Sequence, residues 1–241
     1  MPAAVLRTYV VSLRRRPDRR LWFSGRLPRG LSVTFTSDWD GLFDGQQITR
    51  EALEQAGVGL FPWPVPSDNP WWNRPLKTGE IGCTLAHLAC WRHAHATGAE
   101  PYVLVLEDDA VLPPDFLDEL AAALELLAAP HSFDLLYLGR FPLESSRRVL
   151  PGIVSPGYSH CTFAYLLTRG AIPALLDSRL EQAVIPIDEF LPAMYLDHPR
   201  VDVRARFSRR LRAVALEPPL VHQRPKEEAG SDTELSRSVT W

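Results

Sequence analysis

The strongest constraint on the fold is a continuous apolar segment, residues 102–106, which is followed directly by three acidic residues, Glu107, Asp108 and Asp109. An apolar run without polar alternation is typical of a strand that is covered on both faces. The residues that follow, 116–127, carry apolar side chains at helical spacing, which predicts a helix. A buried strand followed by a helix is the repeating unit of α/β proteins, so this segment predicts an α/β fold.

The alternation of predicted strands and helices extends over most of the chain. Apolar and β-branched runs predict further strands at residues 7–13, 31–36, 135–139 and 163–168. Residues 78–96 have apolar side chains at helical spacing behind Thr78, which we interpret as the N-cap of a long helix. We therefore predict a single α/β domain, residues 1–225, in which a central, mostly parallel sheet carries helices on both faces. The polar tail, residues 226–241, is either flexible or ordered by a bound ligand.

Composition and missing motifs exclude several classes of protein. With 46% hydrophobic and 23% charged residues, the 241-residue chain has the composition of a folded globular protein. Its 26 basic and 29 acidic residues argue against a general nucleic-acid binder. No apolar run approaches the roughly 20 residues of a membrane helix. No export signal is recognisable, so we expect a cytoplasmic protein, with peripheral contact at the inner membrane face left open. The P-loop, His-Glu-x-x-His and Gly-x-Ser-x-Gly motifs are absent from the sequence.

The acidic residues Glu107, Asp108 and Asp109 form the strongest candidate site. Ligands of open α/β sheets bind outside the carboxyl ends of the strands, which is where this triplet is placed. A divalent cation would relieve the repulsion between adjacent carboxylates, and Mg²⁺ and Mn²⁺ prefer carboxylate oxygens together with substrate phosphate. If the strand continues through the triplet, Glu107 and Asp109 point to one side and Asp108 to the other. The alternative is a solvated acidic turn that caps the next helix.

Further charged residues are candidates for the same site. Residues 14–20 contain five arginines after the first predicted strand, a position that suits phosphate or nucleotide, or else a solvated basic surface. Asp188 and Glu189 enter a predicted helix, where either could act as a general base, although helix N-termini also attract acidic residues electrostatically. His222 follows an apolar pair, and a strand end there could return it to the acidic triplet.

Aromatic residues, histidines and cysteines have several interpretations. Trp63 and the pair Trp71 and Trp72 either stack on a sugar ring or a base, or pack in the core. His87 shares its predicted helix face with Trp91, so we interpret it as structural. The three cysteines lack a CxxC spacing, and we interpret them as buried small side chains rather than as redox or zinc residues.

Six short segments occur in the order found in glycosyltransferase family 25, and together they resemble that family. They are residues 11–19, 77–87, 106–110, 162–171, 186–190 and 221–223, the last followed by Ser231 and Asp232. The resemblance implies a GT-A-like fold, a UDP-sugar donor that is usually UDP-galactose and sometimes UDP-glucose, a bound Mn²⁺ or Mg²⁺, and inversion at the anomeric carbon. Ser12 stands where asparagine is usual in the family, and Ala86 stands where serine is common.

The resemblance also implies roles for single residues. It implies that the metal ligands are Glu107, Asp109 and His222. It implies that the residues around the nucleotide and its sugar are Ser12, Leu13, Arg16, Asp18, Arg19, Lys77, Glu80 and Asp108, of which Asp108 contacts the ribose. We expect the catalytic base to be Asp188 or Glu189, and the choice between them stays open.

The resulting hypothesis is a metal-dependent inverting glycosyltransferase. It moves a hexose, with galactose expected, from a UDP-sugar to a hydroxyl of a glycan, lipid-linked or protein acceptor. One alternative is a nucleotidyltransferase or nucleotide-sugar hydrolase, which could use the same acidic and basic residues but would give different products. Another is a non-catalytic carbohydrate-binding protein, which would be marked by a broken acidic triplet, and here the triplet is intact.

Overall fold

The computed structural model describes residues 6–36, 48–128 and 132–239, so residues 1–5 and 240–241 of the predicted domain and tail lie outside it. The strands of the described residues are β1 (Leu6–Val11), β2 (Thr34–Thr36), β3 (Tyr102–Glu107), β4 (Ala110–Val111), β5 (Leu135–Pro142), β6 (Arg147–Leu150), β7 (Ile153–Ser155), β8 (Ser159–Thr168), β9 (Ala213–Leu216) and β10 (His222–Gln223). The α-helices are α1 (Pro17–Ser24), α2 (Arg50–Gln55), α3 (Thr78–Thr97), α4 (Phe116–Leu126), α5 (Ile172–Leu176), α6 (Ile187–Ala193), α7 (Val201–Arg206), α8 (Lys226–Ala229) and α9 (Asp232–Leu235). Within these ranges, no helix combines the length and the apolar character that crossing a bilayer requires.

Eight of the strands form one mixed sheet in the order β2-β1-β3-β8-β5-β9-β7-β6. β1 pairs in parallel with β2 and β3, and β5 pairs in parallel with β9. The other neighbours in the sheet are antiparallel, and β4 and β10 form a separate antiparallel pair. The predicted α/β class is confirmed, and the architecture is GT-A-like, with helices on both faces of the sheet.

The side chains of β3 explain why the sheet has a hydrophobic core on each face, because successive residues of a strand point to opposite faces. Val103 and Val105 belong to the core that contains most of the buried apolar side chains of α3. Leu104 and Leu106 belong to a separate core that contains Phe116 of α4. All four β3 side chains are fully buried, and each such burial contributes about 1.5–3 kcal/mol. The continuous apolar run therefore predicted both covered faces correctly.

The start of α3 contacts the C-terminal tail. The N-cap is Lys77 rather than the predicted Thr78, and the Glu80 carboxylate accepts a hydrogen bond of 2.7 Å from the backbone N–H of Lys77. The backbone N–H of Thr78 donates to the carbonyl of Arg237 over 2.8 Å. This contact fixes the tail beside the first turn of α3.

Gly79 allows the tail to pack closely. A Cβ atom at this position would lie 2.6 Å from the Cα of Thr233 and 2.7 Å from the Oγ of Ser236. Farther along the tail, the backbone N–H of Val239 donates to the carbonyl of Leu76 over 2.7 Å, and the Val239 side chain is buried. The described part of the tail, residues 226–239, is therefore packed against the domain.

The topology brings the candidate segments to one edge of the sheet. β1 and β3 are parallel neighbours, so their carboxyl ends lie side by side, and the backbone N–H of Asp108 donates to the carbonyl of Val11 over 3.2 Å. β8 runs antiparallel to β3, so its first residues lie at the same edge. This edge is where open α/β sheets bind ligands.

Candidate active site

A cavity of about 270 Å³ lies at the edge where β1 and β3 end. The ends of these strands form one wall, together with Arg19 and the acidic triplet. The starts of α3, β8 and α6 form other walls, and residues 230–234 of the tail close a further side. The cavity thus contains residues from all six segments that resemble the glycosyltransferase family.

Arg19 is the positive partner of the acidic triplet. Its Nη2 lies 2.6 Å from Asp108 Oδ1 and 3.0 Å from Asp109 Oδ2, and the Arg19 side chain is largely buried. Both aspartates face Arg19 because β3 ends at Glu107 and the chain then turns into β4. The predicted alternation of the three acidic side chains is therefore wrong. One guanidinium balances only part of the charge of the triplet.

Asp109 has the least stable charge of the triplet. Its Oδ1 is buried and has no hydrogen-bond partner among the described residues, whereas its Oδ2 accepts a hydrogen bond of 3.2 Å from Gln223 Nε2. Burial raises the pKa of Asp109 to about 7, and repulsion from Glu107 adds to the shift, while Arg19 opposes it. Burial also raises the pKa of Asp108. A further positive charge at this position would stabilise the ionised triplet.

The donor atoms of the triplet are chemically suited to the hard divalent cation that the resemblance implies. Its donor atoms are carboxylate oxygens, which Mg²⁺ and Mn²⁺ prefer, and Asp109 Oδ1 is free to coordinate. Glu107 is held in place because its Oε1 accepts a hydrogen bond of 3.0 Å from Thr162 Oγ1. Burial opposes the ionisation of Glu107, but the nearby His87 ring and the hydrogen bond from Thr162 keep its pKa below the ordinary value.

The structure does not bring His222 into the cavity. In the β4–β10 pair, His222 lies opposite Val111 and Gln223 lies opposite Ala110. Since successive strand residues point to opposite sides, Gln223 lines the cavity and His222 is exposed. The predicted role of His222 as a metal ligand is therefore not supported by this geometry, and Gln223 is the residue that contacts Asp109.

Most of the predicted nucleotide-binding residues lie in the cavity wall. They are Ser12, Leu13, Arg19, Lys77, Glu80 and Asp108. Arg16 and Asp18 lie outside this wall, where Arg16 pairs with Asp18 over 2.8 Å and also with Asp232 of the tail. Lys77 Nζ donates to the carbonyl of Glu234 over 2.6 Å. The tail therefore contacts basic residues on both sides of the cavity.

Glu189 is a buried carboxylate whose oxygens accept hydrogen bonds from three neighbouring side chains. It accepts hydrogen bonds from Trp72 Nε1 at 2.9 Å, Tyr158 Oη at 2.5 Å and His198 Nε2 at 2.7 Å. His160 Nε2 lies 3.4 Å from its Oε1. Burial opposes ionisation, but these contacts hold the pKa of Glu189 well below its ordinary value. Glu189 is therefore stably ionised and already engaged within the protein.

Asp188 has the opposite environment although it is the adjacent residue. It is half-buried and lines the cavity, and its carboxylate makes no hydrogen bond with the described part of the chain. Burial raises the pKa of Asp188 to about 6, while His160 opposes the shift and Glu189 adds to it. An accessible carboxylate with a pKa near neutrality is suited to accept a proton.

The three tryptophans, for which stacking on a ligand and packing in the core were both open, have different surroundings. Trp63 is buried and its Nε1 donates to the carbonyl of Trp71 over 2.9 Å. Trp72 is fixed by its hydrogen bond to Glu189. Trp71 is 45% exposed at the cavity, and the Arg74 guanidinium lies 5.1 Å from its ring centre. Packing accounts for Trp63, and Trp71 is the tryptophan that offers an exposed ring beside the cavity.

Several residues around the two acidic segments were not predicted as site residues from the sequence. His87 is fully buried, yet its Nε2 lies 3.6 Å from Glu107 Oε1, so it lies directly behind the acidic triplet and is not only a core residue. His87 lies in segment 77–87, which resembles glycosyltransferase family 25, and this could have indicated a place near the site. Tyr158, His160 and His198 reach Glu189 through the tertiary fold, and no local pattern in the sequence predicts those contacts.

The GT-A-like fold and the acidic residues at its ligand-binding edge are features of a glycosyltransferase. A family model described as "Glycosyltransferase family 25 (LPS biosynthesis protein)" matches residues 5–191. The chain therefore belongs to glycosyltransferase family 25.

Curated relatives include proteins with contrasting descriptions. "Inactive glycosyltransferase 25 family member 3" of Homo sapiens is 35% identical over 259 residues, covering 97% of this chain and 41% of that protein. "Procollagen galactosyltransferase 1-B" of Xenopus laevis is 32% identical over 245 residues, covering 97% of this chain and 38% of that protein. "Procollagen galactosyltransferase 1" of Danio rerio is 31% identical over 241 residues, covering 95% and 38% respectively. This chain thus spans about two fifths of the length of these relatives.

Proposed function

We propose that this chain is a metal-dependent, inverting galactosyltransferase that moves galactose from UDP-galactose to an acceptor hydroxyl. The observation that carries the proposal is one cavity with two acidic parts: a triplet that fits a cation, and Asp188, an accessible carboxylate without a hydrogen-bond partner among the described residues. Membership of family 25 supports sugar transfer. The names of the frog and zebrafish relatives support galactose as the transferred sugar.

Donor binding is assigned to the wall at the ends of β1 and β3. Glu107 and Asp109 would hold Mn²⁺ or Mg²⁺, and Asp108 would contact the ribose. A cation held there would supply positive charge beside the departing diphosphate. Arg19, which now pairs with Asp108 and Asp109, provides a second positive charge beside that position. Lys77 also lines the cavity and is available to the diphosphate.

Catalysis is assigned to Asp188. Its carboxylate accepts the proton of the acceptor hydroxyl while the hydroxyl oxygen forms a bond to the anomeric carbon. The bond between that carbon and the diphosphate oxygen breaks, and its electron pair leaves with UDP. Attack from the face opposite UDP inverts the anomeric configuration. Glu189 is unsuited to this step because its oxygens already accept hydrogen bonds from three side chains.

A non-catalytic role is the second candidate, because the human relative with 35% identity is described as inactive. In that case the cavity would bind a nucleotide sugar or glycan without transfer. The intact triplet and the accessible Asp188 favour catalysis in this chain.

The test is incubation with UDP-galactose and Mn²⁺ in the presence of glycan, lipid-linked and procollagen-derived peptide acceptors. We expect UDP and one galactosylated acceptor, whose anomeric configuration by NMR is inverted relative to the donor. Galactose 1-phosphate or pyrophosphate as the product would instead indicate nucleotide-sugar hydrolysis or nucleotidyl transfer. Binding of UDP-galactose by calorimetry without any product across the panel would favour the non-catalytic role.

A further inference from the structure

A second set of possible metal ligands includes Glu107 of the acidic triplet and two residues beside it, Cys83 and His87. Cys83 and His87 have no role in the proposed transfer. Cys83 and His87 are four residues apart on α3, so both side chains lie on the same face of the helix. The Cys83 Sγ, a His87 ring nitrogen and a Glu107 carboxylate oxygen all lie within 4.8 Å of one another. We propose that these three residues form a binding site for a borderline-soft divalent cation of the Zn²⁺ type.

The geometry of His87 carries the proposal. Its side chain is fully buried, and its Nε2 has no hydrogen-bond partner among the described residues. Nε2 points to Glu107 Oε1 at 3.6 Å, which is too long for a hydrogen bond. Two ligands bound to one Zn²⁺ at about 2.0–2.2 Å in tetrahedral geometry lie roughly 3.4 Å apart. The observed separation therefore matches two ligands of one ion better than it matches a direct contact.

The surroundings hold the His87 ring in the orientation that a metal ligand requires. Its Nδ1 lies 2.8 Å from Tyr165 Oη, and the two rings are stacked with centres 5.6 Å apart. Trp91 Nε1 donates to the same Tyr165 oxygen over 3.0 Å. Metal-binding histidines commonly use the second ring nitrogen in such an outer contact, which fixes the ring. When Nε2 binds a cation, Nδ1–H donates to Tyr165 Oη.

An ion can reach this position from the cavity. Cys83 and Glu107 both line the cavity wall, and Cys83 is a free, half-buried thiol. With three protein ligands, the fourth position of a tetrahedral ion would face the cavity and bind water. Binding requires loss of the Cys83 thiol proton, which passes to solvent.

The donor atoms separate this site from the proposed site for Mn²⁺ or Mg²⁺. Thiolate and imidazole favour Zn²⁺, whereas the carboxylates of Asp108 and Asp109 favour hard cations. Glu107 is common to both, so Zn²⁺ would compete for a ligand of the hard cation. The cation site is independent of whether the protein transfers galactose.

Cobalt titration of the metal-free protein tests the site, because Co²⁺ occupies tetrahedral Zn²⁺ sites and reports thiolate ligation by its absorption. We expect a thiolate-to-cobalt charge-transfer band that Zn²⁺ abolishes on addition. Cys83→Ser should remove the band, and His87→Gln should weaken Co²⁺ binding at least tenfold. Cys161→Ser is the matched control, because Cys161 is also a free thiol in the cavity wall, and it should retain the band. Asp109→Asn should retain it as well.

Absence of the band in folded wild-type protein would overturn the proposal, as would a band that survives Cys83→Ser or disappears in Cys161→Ser. Circular dichroism establishes that each variant is folded. X-ray absorption of the zinc-loaded wild type provides a test without mutation, and a first shell lacking sulfur at about 2.3 Å would also overturn the proposal. Galactose transfer without a cobalt–thiolate band would reject only the cation site, and the band without transfer would reject only the proposed function.

Discussion

The two acidic segments of the cavity differ in how their charges are balanced. The triplet after β3 has one guanidinium for three carboxylates, and the pKa of Asp109 is raised to about 7 because its burial is not compensated. At the start of α6, Glu189 is surrounded by hydrogen-bond donors, and its pKa is held well below the ordinary value. Neighbouring donors therefore stabilise the charge of Glu189, whereas Arg19 compensates the charge of Asp109 only in part.

The same contrast separates Asp188 from Glu189. The two are adjacent in sequence and at the same helix end, yet Glu189 is engaged by side chains from three other segments and Asp188 by none of the described residues. Proximity in sequence therefore does not decide the role of an acidic residue. Its partners in the fold do, and the following variants test this distinction.

The largest effect is expected for Asp188→Asn. Asparagine keeps the size of the side chain but cannot accept the proton, so kcat should fall by about 10²–10⁴-fold. Affinity for UDP should be unchanged, because the donor contacts are assigned to the ends of β1 and β3 and to Lys77. Steady-state kinetics and calorimetry with UDP and Mn²⁺ measure the two quantities. Asp197→Asn, an exposed acidic residue, is the control and should behave as wild type. Full activity of the Asp188 variant would remove this residue from the mechanism.

Glu189→Gln should act mainly on stability. Removing a buried charge while leaving its donors in place costs about 3 kcal/mol in the free energy of unfolding, which urea denaturation at pH 7 measures. Because the folded pKa of Glu189 is depressed, its contribution is present at neutral pH and is lost as the pH falls below about 4. The difference between variant and wild type should therefore shrink in acid. A stable Glu189 variant with greatly reduced kcat would contradict the assigned roles.

Asp109→Asn should weaken metal binding without lowering the stability of the fold, in contrast to Glu189→Gln. The variant loses one charge from the proposed cation site, so the Kd for Mn²⁺ should rise roughly tenfold or more, the range seen when even an outer contact of a metal is removed. The metal-free protein should be at least as stable as the wild type, because an unfavourable buried charge is gone. Calorimetry and thermal unfolding without metal measure both. Unchanged Mn²⁺ affinity would exclude Asp109 as a ligand.

The sequence was sufficient for the α/β fold and for the place of the triplet, because the apolar run of β3 and its acidic end are local features. It was not sufficient for His222, since the register of the β4–β10 pair decides whether residue 222 or 223 faces the cavity. The predicted alternation of the side-chain directions of Glu107, Asp108 and Asp109 was wrong because a turn begins directly after Glu107. The sequence also could not distinguish the roles of Asp188 and Glu189, because the Glu189 partners Trp72 and His198 come from distant segments.

The smallest effect concerns the pH dependence of transfer. Asp188 must be ionised to act as a base, so kcat/KM should rise with pH through the pKa of about 6. Burial disfavours the charged form of His160, but its contact with Glu189 raises the pKa of His160. The positive charge of His160 in turn favours the ionised form of Asp188. His160→Gln should therefore move the midpoint of the acid limb up by a fraction of a pH unit. Glu189→Gln removes a negative neighbour and should move it down. Shifts in the same direction, or none in either variant, would assign the acid limb to another group.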